Sequence, residues 1–116
     1  MKILITENQM ESIAVNFLLD KLNDMDFNLM KNKDFDFFPK GDHRAEHGIE
    51  ADWHSKKGYS ILVGHSLWRS IRDTFGMDND QTEDIFIKVF NEKGINKIYE
   101  VSSIDFSDVM DTIYDN

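Results

Sequence analysis

The chain has 116 residues, 41% of them hydrophobic, and a formal net charge of −9 from 22 acidic and 13 basic side chains. That length suits a single domain with one core, and nine Phe, two Trp and three Tyr exclude the aromatic-poor composition of acidic disordered chains. The absence of cysteine excludes disulfides and thiolate zinc sites, and the acidic balance disfavours a phosphate backbone as a ligand wherever basic residues stay scattered among acids.

The opening residues turn polar at Thr6 and Glu7, too soon for a signal peptide, and no later stretch approaches a membrane span. A cytoplasmic protein with no membrane partner is expected. Residues 2–5 read as an edge strand. Thr6 and Gln9 have capping-box spacing and Ile5 and Met10 staple spacing, which predicts a helix over about 7–23. Its apolar stripe is Met10, Ile13, Ala14, Phe17, Leu18 and Leu22. Residues 23–47 show no helical period and read as loop with strand fragments: 34–37 alternates like a strand, stopped by Pro39 and Gly41, and 42–47 suits a single helical turn ended by Gly48.

Residues 49–54 and 59–63 flank Ser55-Lys56-Lys57-Gly58 as a predicted hairpin whose glycine takes a positive φ. Ala51 and Trp53 share one face, and Glu50, Asp52 and His54 the other. Ser66 reads as the cap of a helix to about Phe75, with Leu67, Trp68, Ile71 and Phe75 buried and Gly76 at the end. Over 80–94 the apolar residues fit helix or strand. Asp80 with Glu83 as a capping box and Gly94 as a stop favour helix, the rival being a hairpin turning at residues 91–94. Residues 95–101 read as a strand, and Asp105 starts a closing helix carrying Phe106, Val109, Met110 and Ile113. The expectation is a single α+β domain: an antiparallel or mixed sheet of three to five strands with helices packed on one face.

Three of the four histidines fall in residues 42–54. His43, Glu46 and His47 spell H-x-x-E-H, which on a helix places two imidazoles on one face for zinc beside a glutamate base. The five residues resemble the motif of the inverzincin metallopeptidases, and the likeness implies a zinc-dependent hydrolase with Glu46 as base. A third ligand would come from His54, Glu50, Asp52 or His65. Gly41 and Gly48 crowd the motif into two turns at most, which favours the other reading, a polar loop with solvated histidines and no cofactor. Asp78, Asp80, Glu83 and Asp84 lack the glycine and the final glutamate of an EF-hand loop and read as the acidic start of a helix. Gly64-His65-Ser66 lacks the nucleophile turn of serine hydrolases. Trp68, Arg69 and Arg72 on one helix offer an anion-binding surface if they do not pair with Asp73. Phe35, Phe37 and Phe38 divide between core and an exposed patch.

The opening Lys2-Ile3-Leu4-Ile5-Thr6-Glu7-Asn8-Gln9, with Trp68, Ile71, Phe75-Gly76 and the acidic helix that follows, resembles small bacteriophage proteins over about a third of the chain. The resemblance implies a phage accessory role exerted by binding a host or virion protein.

Together these readings lead to a non-enzymatic interaction protein that binds a basic or nucleic-acid-handling protein, without direct nucleic-acid contact, through an acidic surface. Its expected members are Asp78, Asp80, Glu83, Asp84, Asp105, Asp108, Asp111 and Asp115. Two alternatives remain open: the small metal-dependent hydrolase, and a virion structural component that self-associates through exposed aromatics.

Overall fold

The structure is a computed structural model that describes residues 7–104. The strand expected at 2–5, the cap and staple of Ile5 and Thr6, and the closing helix from Asp105 lie outside the described residues.

Helix α1 (Glu7–Asn23) is followed by four strands joined as a meander, β1 (Met25–Leu29), β2 (Phe35–Pro39), β3 (Ile49–His54) and β4 (Gly58–Gly64). Helices α2 (His65–Thr74) and α3 (Asn79–Glu92) then lead to β5 (Ile98–Ile104). The sheet order is β1-β2-β3-β4-β5, antiparallel through β4 and parallel between β4 and β5. This is the expected α+β class with a mixed five-stranded sheet. The helical excursion through α2 and α3 is what allows β5 to lie parallel, since a short turn can only return a strand antiparallel.

Alternation sorts the strands into two faces. Phe35, Phe37, Ile49, Ala51, Ile61, Val63 and Val101 point inward and are buried. They meet Ala14, Val15, Leu18 and Leu22 of α1, Leu67, Trp68 and Ile71 of α2, and Ile85, Phe86, Val89 and Phe90 of α3 in one hydrophobic cluster. Trp68 and Phe86 stack at 5.4 Å with their planes 3° apart.

Several expectations are corrected. The buried stripe of α1 is rotated: Val15 is inside, while Ile13 is 50% exposed and Phe17 lies half out against the edge of Phe75. Residues 25–29, inside the stretch read as loop with strand fragments, form the strand β1, which the sequence pattern does not single out; Asp26 and Asn28, poor strand formers, sit on the outward face of the alternation. Gly64, not Ser66, is the N-terminal cap of α2. A side chain at Gly64 would collide with the carbonyls of Ala45 and Glu46. Helix α3 forms as favoured, but its capping box is Asp78 with Gln81 (2.8 and 2.9 Å), two residues earlier than Asp80 with Glu83.

Gly76 and Gly94 end α2 and α3 at φ of 61° and 85°. In each case the following amide reaches back to a helical carbonyl, Met77 to Arg72 (2.9 Å) and Ile95 to Phe90 (2.9 Å), as in the Schellman motif. Ile95 is thereby used to close α3, and β5 starts at Ile98 rather than at residue 95.

Candidate functional site

The outward face of the sheet gathers carboxylates from four of the five strands. Its side chains follow from the register: Asp26 and Asn28 on β1, Asp36 and Phe38 on β2, Glu50, Asp52 and His54 on β3, Ser60 and Leu62 on β4, Glu100 and Ser102 on β5. Five are carboxylates and none is lysine or arginine. Phe38 and Leu62 are half-buried apolar groups within this acidic field. Among the described residues no helix covers this face, because the helices contribute to the core on the other side.

Asp36 lies directly opposite Glu50 in the β2–β3 register, an arrangement that costs stability between like charges. Burial pushes the Glu50 carboxyl above its ordinary value of 4.5, and the charges of Asp52 and Asp36 push it further. Only part of this charge is answered locally. Asn28 Nδ2 donates to Asp36 Oδ1 at 2.8 Å, and Ser60 Oγ to Glu100 Oε2 at 3.4 Å.

The histidine segment is arranged differently from a metallopeptidase helix. Ala45–His47 is a single 3-10 turn, and Gly48 after it is extended. The α-helical spacing that would align His43 with His47 is therefore missing. His43 is exposed with its ring 5.9 Å from that of Phe38. Glu46 stands between Arg44 and His47, each at 3.4 Å. Arg44 also clamps Asp42, and its hydrogen bonds hold that carboxyl down to about 2. His54 sits against Tyr99 at the far end of β3, separated from His47 by the length of the strand, roughly 17–20 Å at 3.3 Å per residue. Among the described residues no three His, Asp or Glu side chains are placed to hold a metal ion.

The acids expected to form the partner surface are divided. Asp78 is consumed as the α3 cap, Asp80 and Asp84 are exposed on the first turns of α3, and Glu83 is half-buried. Asp105, Asp108, Asp111 and Asp115 lie outside the described residues. Arg69 and Arg72 both face Asp73. Arg72 and the Trp68 indole also donate to Asn79 Oδ1, at 3.2 and 3.1 Å. His65, Trp68, Arg72, Asn79, Asp80, Glu83 and Ser103 line an open cleft of about 400 Å³ beside β5. Of the aromatic run, Phe35 and Phe37 are core and Phe38 is half-buried. Among the described residues the exposed large apolar groups are instead Phe27, Leu29 and Met30 on and after β1, Ile13 and Phe17 on α1, and Tyr99.

Asp26, Asp36 and Glu100 escape a reading of local motifs, because strands distant in sequence bring them together. The signal that finds them is the polar phase of each alternating run, already visible in Glu50, Asp52 and His54. No protein-family model, curated protein or solved structure matches the chain.

Proposed function

We propose that this chain is a small acidic interaction protein that binds a basic protein, of the kind that itself handles nucleic acid, through the outward face of its sheet. The observation that carries the reading is the acidic field of Asp26, Asp36, Glu50, Asp52 and Glu100 around Phe38 and Leu62, which no helix among the described residues covers. The field holds like charges against one another at a cost that a cationic partner relieves, and the two apolar groups supply area for a desolvated centre. Charge complementarity of this kind raises the association rate and fails with rising salt. The likeness of residues 2–9 to small bacteriophage proteins supports an accessory role toward a host protein.

The test is binding of a fluorescent arginine-rich peptide to the full chain, compared with two double charge reversals. Asp36→Lys with Glu50→Lys is expected to weaken binding at least tenfold, and Asp80→Lys with Asp84→Lys on α3 to leave it within twofold. Equal loss in both pairs would reduce the effect to net charge. Loss only in the α3 pair would move the surface to the helix and contradict the reading.

A further inference from the structure

The basic residues that are scattered in sequence are gathered by the fold. Three connections meet at one end of the sheet: the β1–β2 turn with Lys31 and Lys33, the β3–β4 turn with Lys56 and Lys57, and the entry to β5 with Lys97. Tyr59 ties them together. Its hydroxyl donates to the Lys33 carbonyl at 3.0 Å, its amide donates to the Lys97 carbonyl at 2.7 Å, and it follows the lysine turn directly. Gly58 beside it has φ +102°, and any side chain there would collide with the Lys97 carbonyl.

All five lysines are exposed, and among the described residues none forms an ion pair, whereas Arg44, Arg69, Arg72 and Lys88 each face a carboxylate. Aromatic rings are interleaved with them. Lys33 Nζ stands 4.6 Å from the centre of the Trp53 ring, and Lys57 Nζ 5.8 Å from that of Tyr99, which is 44% exposed. The described non-glycine residues with positive φ, Asn32, Lys33 and Lys97, also all lie in these connections. Backbone held in that region concentrates where surrounding structure fixes a functional shape.

We propose that this lysine and aromatic end of the sheet binds single-stranded nucleic acid, the lysines taking phosphates and Tyr99 stacking on a base. Lysine alone would suit any polyanion. The exposed Tyr99 ring, flanked by Lys57 and His54, is what favours an unpaired strand, since stacking on aromatic rings tolerates every base. The nearest acids by register are Asp34, Asp52 and Glu100, and the Asp34 carboxylate is occupied by the Trp53 amide at 2.8 Å. More distant acids are screened over a Debye length of about 8 Å at physiological salt. The expectation from sequence, that the chain makes no direct nucleic-acid contact, rested on dispersed cations, and here five of them converge.

The experiment is a fluorescence anisotropy titration of the full chain with labelled oligothymidylate of about 15 nucleotides, within the site sizes of single-strand binders. Three to five phosphate contacts predict that a rise from 50 to 200 mM salt weakens binding roughly 20- to 100-fold. Lys56→Glu with Lys57→Glu should cost at least tenfold and flatten the salt dependence. Tyr99→Ala should weaken binding roughly fivefold with the salt slope unchanged. Lys40→Glu, on the loop after β2 at the other end of that strand, should have no effect, and circular dichroism establishes that each variant is folded. No binding at 50 mM salt, or binding indifferent to the turn lysines, would overturn the proposal. So would a preference for vesicles containing anionic phospholipid over the oligonucleotide, which would give this end to a membrane surface.

Discussion

Glu50 is the residue at which the charge of the sheet face is most directly measurable. Its folded-state pKa lies above the ordinary 4.5 because burial and the neighbouring Asp52 and Asp36 all disfavour the anion. An acid shifted upward destabilises the fold above its folded pKa and costs nothing below its unfolded one, so the penalty is present at neutral pH and disappears as pH falls toward 4.5. Glu50→Gln is therefore expected to raise stability at pH 7 by roughly 0.5 kcal/mol, kept small by solvent screening of a partly exposed group. That corresponds to a melting temperature higher by about 2–4 °C. The advantage should vanish near pH 4, where wild-type Glu50 is itself protonated. Melting curves across that range check it: a variant less stable than wild type at pH 7, or a gain unchanged at pH 4, would contradict the account. Residue by residue, the alternation of residues 49–54 foretold that Glu50 faces outward. Asp36 as its cross-strand neighbour was not legible, because register is a relation between strands and no single segment encodes it.

Among the elements, α3 joins local sequence to global fold most clearly. Its capping box satisfies two amides at the helix start, and Thr82, fully buried, donates its hydroxyl to the Asp78 carbonyl at 2.7 Å. Asp78→Ala should cost about 1 kcal/mol. Asp80→Ala, which removes an exposed acid of the first turn but no cap, should cost less than half as much, and paired chemical denaturation curves measure the difference. The reverse order would return the cap to Asp80. The stop signals at Gly76 and Gly94 were readable because a left-handed residue after a helix leaves few alternatives to glycine. The strand β1 was not, since two of its five residues are Asp and Asn, whose aversion to strands yields when they occupy the open face. Ser66 misled for a related reason. The turn from β4 into α2 passes so close to the Ala45–His47 turn that glycine must occupy the cap, a demand set by a contact that is distant in sequence.

For the molecule as a whole, the fold separates charges that the sequence mixes. Sheet pairing lays the carboxylates of β1, β2, β3 and β5 on one face, and the meander brings the β1–β2 and β3–β4 turns with their lysines to one end, where the entry to β5 adds Lys97. A net charge of −9 describes neither surface. A count of charges along the chain gives the acidic balance but not where acids and lysines gather, because strand register and turn placement decide that. At residues 42–54 spacing admits both a metal site and a polar loop, and the chain folds there as a 3-10 turn and a strand that carry His47 and His54 apart.

The measurement that tests this separation most directly is a pair of amide and side-chain chemical-shift titrations on the full chain, one with the arginine-rich peptide and one with oligothymidylate. Two footprints are expected. The peptide should shift Asp36, Phe38, Glu50 and Leu62, and the oligonucleotide residues 31–33, 55–57 and 97–99. A single shared footprint, or shifts confined to the first turns of α3, would contradict it.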